Sequence, residues 1–565
     1  MPECTSVARR LTRIVRRAHR YAAVRPPAGV ITGSDDLIVG TDDEWGADQE
    51  PWWRSDVIYQ IYPRSFADST GDGVGDLPGI TAHLDHLVDL GVDAVWLSPF
   101  YRSPMADFGY DISDHCDVDP IFGSLDDADA LIAAAHERAL RVVVDFVPNH
   151  VSDQHAWFVA ARSSRDDPHR DWFVWRDPAP DGGPPNNWSA AFAQEQAWTL
   201  DDASGQYYLH LFLPEQPDVD WNRAGVVEGM HDVLRFWMDR GVDGFRADVV
   251  HCIGKDDELA DMPEELVGLP AMLQDFGPGT HEQLRGLRRL VDSYPGDRLI
   301  VGETYVLDPV QMASYLGRND ELHLAFNIPA LLCPWDAERW RAAIVSTDEL
   351  LDPIGAWPTW VLSNHDEHRH RSRYGTDARA RAAAVLLLTL RGTPFLYMGE
   401  ELGLQDAIVP PEQVVDPGGR DGCRSPIPWT TDSGHGWSAA TWLPFPPAAA
   451  THSVEAETGD PDSMLEHYRR LLRLRRGVPA LHRGDMEMLD APAGVVRWRR
   501  SATLRGGDAT DAPTVVEVAV NFTAQTVPEA ISAGPVLGGT VVEPDQTPSD
   551  PGALGPDEAR IVVIA

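Results

Sequence analysis

Short apolar runs alternate with longer segments of helical periodicity along most of the chain. Runs rich in β-branched residues predict buried strands at residues 57–62, 94–99, 142–147, 244–249, 299–303, 322–328, 359–364 and 394–398. Apolar positions recur every three or four residues in segments 80–90, 125–139, 227–240, 281–294, 310–316, 337–350, 378–391 and 464–475. Eight strand signals, each followed by a helical signal, predict an α/β fold, a parallel (β/α)8 TIM barrel. A doubly wound open sheet is the alternative, but no Gly-rich phosphate motif follows the first strand.

Two departures from this alternation predict additional domains. Residues 150–222 are too many for one barrel loop and are rich in Trp, Gly, Pro and Asn, which predicts an inserted B subdomain. After residue 482, short alternating strands at 494–499, 514–521, 540–543 and 559–563 predict a C-terminal β-sandwich domain, residues 483–565. The barrel itself would then comprise residues 51–149 and 223–482. Residues 1–50 are expected to form a disordered extension.

Composition narrows the class of protein and of ligand. The 565 residues carry a formal net charge of −41, which disfavours nucleic acid and anionic membranes as partners and favours a neutral or cationic small molecule. Five scattered cysteines without a CxxC pair indicate neither a disulfide framework nor a zinc site, and we expect a cytoplasmic protein. We find no secretory signal and no membrane span. Monomer and dimer both remain open.

Charged side chains follow four of the predicted strands at their carboxyl ends. The set comprises His150, Arg246, Asp248, Glu303, His365 and Asp366. In a parallel barrel these ends meet on one face, and alternation along a strand puts Arg246 and Asp248 on the same side. A carboxylate beside a fixed guanidinium should stay ionised, as a nucleophile must. One such carboxylate is usually structural, but three converging carboxylates indicate catalysis.

The segments 145–150, 244–248, 301–303 and 363–366 together resemble the ordered motifs of the α-amylase family of glycoside hydrolases (glycoside hydrolase family 13). The resemblance runs from about residue 52 into the C-terminal domain. Segment 216–220, Gln-Pro-Asp-Val-Asp, is similar to a marker of the α-glucosidase and oligo-1,6-glucosidase subgroup. It departs at Asp220, where that subgroup usually has Asn.

The resemblance implies roles for the three carboxylates. Asp248 would be the nucleophile, Glu303 the general acid/base, and Asp366 a third carboxylate that binds sugar hydroxyls. Cleavage through an oxocarbenium-like state needs one protonated carboxyl group to assist the leaving group and a second to attack the anomeric carbon. A retaining enzyme holds these two carboxyl groups roughly 5–5.5 Å apart.

The resemblance also implies a pocket for one terminal sugar. Its substrate-binding residues would be Asp107, Tyr110, His150, Phe192, Phe212, Arg246, His365, Arg420 and Arg424. Asp107 and Tyr110 would recognise the non-reducing end and the ring, and the two phenylalanines would form apolar walls. We expect Arg424, with Arg420 nearby, to pair with Asp107 and close the far end. A closed end implies removal of one glucose at a time.

An acidic, Gly-containing loop follows the first strand. Asp68, Thr70, Asp72 and Asp76 place oxygen atoms at alternate positions, and Val74 would add its carbonyl. A plain acidic turn is the alternative, but the resemblance implies a bound structural Ca²⁺ (or Mg²⁺). Because Thr70 stands where Asn or Asp is usual, we expect modest affinity.

We predict an exo-acting, retaining α-glucosidase that hydrolyses maltose, isomaltose or short oligosaccharides, with transglucosylation possible. A trehalose synthase or a sucrose-converting relative is the alternative within the family. A non-catalytic transporter subunit is disfavoured, because the chain keeps all three carboxylates.

Two residues bear on substrate choice. Val249 stands where this subgroup distinguishes α-1,6 from α-1,4 linkages, and valine resembles the 1,6-preferring form. Lys255 is the sole lysine of the chain and is either part of the aglycone site or a solvated loop charge.

Overall fold

The computed structural model of the chain describes residues 50–192, 195–255, 257–262, 264, 267–274, 276–306, 308–438, 440–502, 513–540 and 550–564. Residues 1–49 of the predicted N-terminal extension therefore lie outside the described residues. The fold is a parallel barrel that carries an inserted subdomain and a C-terminal antiparallel sheet.

Eight parallel strands form the barrel sheet. They are β1 (Ile58–Ile61), β2 (Ala94–Leu97), β3 (Arg141–Phe146), β4 (Gly244–Ala247), β5 (Leu299–Gly302), β6 (Leu324–Ala325), β7 (Thr359–Val361) and β8 (Thr393–Tyr397). Their order runs from β6 through β5, β4, β3, β2, β1 and β8 to β7. Between β6 and β7 the Thr359 hydroxyl donates to the Ala325 carbonyl, at 2.7 Å, and links the two ends of the sheet. The TIM-barrel prediction is confirmed.

Helices cover the outside of the barrel. The longer ones are α1 (Leu77–Ala82), α2 (Leu84–Leu90), α3 (Leu125–Glu137), α4 (Ala156–Ser163), α5 (Ala224–Asp239), α6 (Pro278–Asp292), α7 (Pro309–Ser314), α8 (Ala337–Leu351), α9 (Asp377–Thr389) and α10 (Met464–Gly477). Short helices cover Trp52–Ser55, Ile328–Leu331, His370–Tyr374, Val454–Glu457 and Pro479–His482. α4 belongs to the insertion, and the others surround or follow the barrel.

Two predicted elements differ from the structure for local reasons. The segment 80–90 is two helices, because the His83 ring bonds to the Gly79 carbonyl (2.8 Å), which in a continuous helix would accept from the His83 amide. The strand predicted at 322–328 is reduced to β6, because the Asn327 side chain caps the helix that begins at Ile328.

Alternation along the strands separates two hydrophobic layers. Ile58, Trp96, Val143 and Val301 lie in a cluster inside the barrel, whereas Tyr59, Val95 and Val144 belong to the layer beneath the helices. Asp145, Arg246 and Glu303 share the inward parity of their strands. The upper end of the barrel interior is therefore charged, while its lower part is apolar.

The insertion contains a small antiparallel sheet whose central strand, Gln206–Leu209, pairs with Trp175–Arg176 and Trp198–Asp201. Its apolar cluster includes Trp188, Leu211 and Phe212, and also Val249 and Cys252 from the loop after β4. The inserted subdomain is thus packed onto the loop that follows the predicted nucleophile.

The C-terminal region forms one antiparallel sheet. Its strands are β9 (Asp485–Met488), β10 (Val495–Ser501), β11 (Val515–Asn521), β12 (Val536–Gly539) and β13 (Ala559–Val563), and their order in the sheet is β9, β10, β11, β13, β12. One face, with Trp498 and Val518, joins the hydrophobic layer of the barrel helices. The described residues form this single sheet, where the prediction has the two layers of a sandwich. Most of the predicted strand 540–543 lies outside the described residues.

Among the described residues, no helix has both the length and the apolar character needed to cross a membrane.

The alternation along β10 makes the docking of the C-terminal sheet testable. Trp498 is fully buried against the barrel layer, so Trp498→Ala should lower the free energy of unfolding by about 3–5 kcal/mol. Arg499, the next residue, makes an exposed ion pair with Glu487, so Arg499→Ala should cost about 0.5 kcal/mol or less. Urea unfolding measures both variants. Equal effects would contradict docking through Trp498.

Candidate active site

One buried guanidinium lies at the centre of the charged end of the barrel. Arg246, at the end of β4, donates from Nη1 to Asp145 (2.6 Å) and to Asp248 (2.5 Å), and from Nη2 to Glu303 (2.6 Å). The Arg246 side chain is 1% exposed. Of its partners, Asp145 lies on β3 and Glu303 directly follows β5. The structure thus brings the predicted nucleophile and the predicted acid/base together on one cation.

Each reacting carboxyl group keeps one oxygen atom away from the guanidinium. Oε2 of Glu303 accepts from Arg246 and, at 3.2 Å, from the Val249 amide, while Asp248 is bound through Oδ1. Across the described part of the chain, no hydrogen bond reaches Oε1 of Glu303 or Oδ2 of Asp248. These are the oxygen atoms available to a substrate.

The pKa of Asp248 differs from the sequence expectation. Burial raises the pKa of Asp248 well above its ordinary value, and the charge of Arg246 acts in the opposite direction. The expectation took account of the guanidinium but not of the desolvation at the end of a closed strand barrel. Binding of a sugar that develops positive charge would favour the ionised form.

Val249 has a strained backbone. Its φ is +33° and its ψ +39°, in the left-handed region that a β-branched residue rarely adopts. This conformation directs its amide to Glu303 and packs its side chain among those of the inserted subdomain. Val249, the residue after the predicted nucleophile, therefore contacts both Glu303 and the inserted subdomain.

The two arginines of the loop after β8 have different partners from those predicted. Arg420, not Arg424, pairs with Asp107, at 2.6 Å. Arg424 lies deeper, fully buried, and donates to Asp366 (3.1 Å) and Asp416 (3.2 Å). The prediction is wrong on this pairing, because Asp416 holds both guanidinium groups and fixes which of them reaches the pocket end.

Asp366 lies between these two arginines. Its Oδ1 accepts from Arg420 at 3.0 Å and from Arg424 at 3.1 Å. Burial opposes its ionisation, but the neighbouring positive charges outweigh burial and hold the pKa of Asp366 well below its usual range. Asp366 is thus a permanently charged acceptor for sugar hydroxyls.

Gln216 connects two of the predicted sugar contacts. Its amide donates to Asp107 at 3.1 Å and lies 3.1 Å from Nε2 of His150. Burial lowers the pKa of His150 to about 3, so the imidazole is neutral at physiological pH. Sequence reasoning used Gln216 only as part of a subgroup marker and missed its contacts, although the marker itself was the available signal.

Tyr110 and His365 form a stacked pair at the base of the pocket. Their ring centroids are 5.4 Å apart with an interplanar angle of 11°, and the Tyr110 hydroxyl is 2.5 Å from Nε2 of His365. Gln60, from β1, lies 2.7 Å from the other ring nitrogen. The imidazole is therefore held on both sides, with Nε2 also 3.3 Å from Asp366.

Phe192 and Phe212 line the side of the pocket formed by the insertion. Their ring centroids are 5.8 Å apart, and that of Phe212 is 5.1 Å from His150. The Arg420 guanidinium lies over Phe192 at 4.9 Å. Both aromatic residues thus contact side chains that are predicted to bind the sugar, a position that suits the predicted apolar walls.

Lys255 is buried, and the two roles considered for it from the sequence do not describe it. Its ammonium donates to Asn149 Oδ1 (2.6 Å) and the Cys252 carbonyl (2.8 Å), and it forms an ion pair with Asp218 (2.9 Å). Asn149 precedes His150, and Asp218 lies two residues from Gln216. The sole lysine therefore ties together three segments behind the sugar pocket.

Asp220, where the subgroup marker departs, lies outside the pocket contacts. Its carboxylate accepts from the Asn222 amide and from Arg223, both at 3.0 Å. The substitution is explained by this local turn and ion pair.

In the loop predicted to bind calcium, two carboxylates accept hydrogen bonds from nearby backbone amides. Asp68 accepts from the amides of Thr70, Gly71 and Gly73, and Asp76 caps α1 through Gly79. Asp72 is exposed and accepts from the amide of Val74 at 2.9 Å. In the described ranges, no three His, Cys, Asp or Glu residues converge as a metal site. The loop offers oxygen ligands of the kind calcium prefers, and the bound ion stays a prediction.

Comparison with known proteins agrees with this geometry. Residues 60–484 match the family model of the α-amylase catalytic domain, which spans the barrel and the charged site. The chain belongs to the α-amylase family. The resemblance drawn from the four motifs is thus confirmed, and the α-amylase fold accounts for the site at the carboxyl ends of the strands.

Relatives within the α-amylase family are named as glucosidases. A probable α-glucosidase of Rhizobium meliloti (strain 1021) is 43% identical over 483 residues, covering 80% of this chain and 87% of its own. An oligo-1,6-glucosidase of Parageobacillus thermoglucosidasius is 37% identical over 473 residues, with coverages of 75% and 84%.

Two solved structures match most of this chain. The α-glucosyl transfer enzyme XgtA is 39% identical with a TM-score of 0.84, covering 91% of this chain and 100% of its own. The trehalulose synthase MutB from Pseudomonas mesoacidophila MX-45 is 32% identical, with the same TM-score and the same coverages.

The buried lysine provides a test of the support behind the pocket. Lys255→Met would leave Asp218 as an uncompensated buried carboxylate, so the free energy of unfolding should fall by about 3–5 kcal/mol. The double variant Lys255→Met/Asp218→Asn should recover part of this loss, because the unpaired charge is gone. Urea unfolding at pH 7 measures both. A loss as small as that of a surface charge would contradict the buried ion pair.

The calcium prediction is tested on the exposed carboxylate of the loop. If the loop binds calcium, 1 mM Ca²⁺, taken as about tenfold above Kd, should stabilise the chelator-treated protein by about 1.4 kcal/mol. Asp72→Asn should remove this response, while leaving stability without calcium nearly unchanged because Asp72 is exposed. Differential scanning fluorimetry and elemental analysis give the answer. A protein without bound metal and without a calcium response would refute the prediction.

Proposed function

We propose that the protein is an exo-acting, retaining α-glucosidase that removes terminal glucose from maltose, isomaltose or short oligosaccharides. The observation that carries the proposal is the shared guanidinium, because Asp248 and Glu303 bond to the two terminal nitrogens of Arg246. Two carboxyl groups bound side by side on one cation suit the roughly 5–5.5 Å separation of a retaining mechanism. The names of the relatives support the same class of substrate.

The proposed reaction proceeds in two displacements. Glu303, protonated on the oxygen that lacks a partner, gives its proton to the glycosidic oxygen while Asp248 attacks the anomeric carbon. A glucosyl ester on Asp248 forms, and the aglycone leaves. Glu303 then takes a proton from water, whose oxygen attacks the anomeric carbon and releases α-glucose. A sugar hydroxyl in place of water gives transglucosylation.

The exo preference follows from the closed end of the pocket. Arg420 bonds to Asp107 (2.6 Å), Asp366 (3.0 Å) and Asp416 (2.6 Å), which places a salt-bridge network across the position of the non-reducing end. A longer chain therefore meets a wall beyond the first sugar. Asp107 and Asp366, both paired with Arg420, are left to accept hydrogen bonds from the hydroxyls of the terminal sugar.

Sucrose conversion or trehalose synthesis is the second candidate, favoured by the trehalulose synthase fold. The Arg-Leu-Asp-Arg-Asp loop associated with sucrose isomerases is missing from the sequence. Separate incubations with maltose, isomaltose, trehalose and sucrose distinguish the candidates. Trehalose formed from maltose without free glucose would overturn the hydrolase proposal.

The nucleophile gives a direct test. Asp248→Asn should lower turnover of an aryl α-glucoside by about 10⁴-fold or more, because the amide cannot form the glucosyl ester. Circular dichroism should be unchanged. With the wild-type enzyme, proton NMR should show α-glucose as the first product. Activity retained in Asp248→Asn, or β-glucose as the first product, would contradict the proposed mechanism.

A further inference from the structure

A hydrogen-bonded pair of side chains joins the loops that follow β5 and β7. The Tyr305 hydroxyl donates to Oε1 of Glu367 at 3.0 Å, and both residues are half-buried. Tyr305 lies two residues after Glu303, and Glu367 directly follows Asp366. The pair has no part in the two displacements proposed above, although each member is close in sequence to a group that does.

The pair and the closed end of the pocket lie on opposite sides of the barrel axis. Asp107 follows β2 and Arg420 follows β8, so their ion pair lies over β8, β1 and β2. Tyr305 and Glu367 follow β5 and β7, so their bond lies over β5, β6 and β7. Glu303, which would protonate the glycosidic oxygen, also follows β5. A terminal sugar held at the closed end therefore directs its leaving group towards the pair.

The Tyr305 hydroxyl is held near the reacting groups. Its ring packs against both the apolar cluster of the inserted subdomain and that of the barrel interior. Burial raises the pKa of Tyr305 well above its ordinary value, and the negative charges of Glu367, Glu303 and Asp366 act in the same direction. The hydroxyl thus has a fixed position close to the acid/base and to the third carboxylate.

Glu367 keeps one carboxylate oxygen available to a ligand. Its Oε1 accepts from Tyr305, and its backbone amide donates to Oδ1 of Asn364 at 2.8 Å. Within the described ranges, no hydrogen bond reaches Oε2 of Glu367 and no ion pair reaches its carboxyl group. The carboxylates bound to Arg246 and Arg420 are all paired with a guanidinium. Glu367 is therefore oriented by its neighbours while Oε2 remains an open acceptor.

We propose that Glu367, oriented by Tyr305, determines specificity for the leaving sugar by accepting a hydrogen bond from one of its hydroxyl groups. This inference rests on the proposed function, because it requires a terminal glucose held at the closed end. Hydrogen bonds to a carboxylate are stronger than those between neutral groups, so the contact favours a sugar over an aryl leaving group. In transglucosylation the same contact orients the accepting sugar.

Two kinds of substrate that share the terminal glucose test this assignment. The leaving group of p-nitrophenyl α-glucoside carries no free hydroxyl before cleavage, whereas that of maltose or isomaltose is a whole sugar. Glu367→Gln keeps an oxygen for Tyr305 and can place an N–H donor where Oε2 stands. We expect kcat/KM for the better disaccharide to fall at least about tenfold more than kcat/KM for the aryl glucoside.

Tyr305→Phe and His368→Gln complete the comparison. Tyr305→Phe retains the ring and removes the hydroxyl that orients Glu367, so it should shift the same ratio in the same direction, by about threefold. His368 directly follows Glu367, but its side chain is 59% exposed and pairs with Asp406 at 2.7 Å. His368→Gln should therefore keep the ratio within about twofold of the wild-type value.

The ratio of the two kcat/KM values decides the outcome. A smaller fraction of folded enzyme lowers both values by one factor, so the ratio reports only on folded molecules. Equal losses on both substrates in Glu367→Gln, or no loss on either, would overturn the inference. Failure of the proposed function is a different result, in which the wild-type enzyme hydrolyses none of the three substrates or Asp248→Asn retains activity.

Discussion

The active site depends on one buried cation. Arg246 bonds to Asp145, Asp248 and Glu303, which would repel one another without it. Such a charge is costly to bury unless its partners are fixed, and here β3, β4 and β5 of a closed barrel fix them. The barrel therefore does more than support the site. Its inward parity at positions 145, 246, 248 and 303 is what makes a stable cluster of these groups possible.

A second network at the pocket end has the opposite arrangement, with one carboxylate holding two cations. Asp416 binds both Arg420 and Arg424, which in turn hold Asp107 and Asp366. Counting both networks, six carboxylates surround the sugar position with three guanidinium groups. On the proposed mechanism, this excess of negative groups stabilises the positive charge that develops at the anomeric carbon, and it is already oriented before the substrate binds.

The sequence predicted those features that follow from strand alternation and from short ordered motifs. The eight strands, the convergence of Asp248, Glu303 and Asp366, and the family were of this kind. Features that depend on contacts between distant loops were not accessible: Asp416 sits in a Pro/Gly-rich segment without a pattern, and only the fold shows that it directs Arg420 rather than Arg424 to Asp107. Likewise, the pKa of Asp248 depends on burial, which periodicity does not measure.

Lys255 shows why one position in the chain keeps a lysine while every other basic side chain apart from histidine is an arginine. Three oxygen atoms, one each from Asn149, Cys252 and Asp218, lie 2.6–2.9 Å from its ammonium nitrogen. A compact group with three donors matches this arrangement, whereas the planar guanidinium of arginine presents its donors in one fork. Asn149 directly precedes His150, and Cys252 lies three residues after the strained Val249. The same ammonium therefore stabilises both the sugar-binding loop and the backbone beside Glu303.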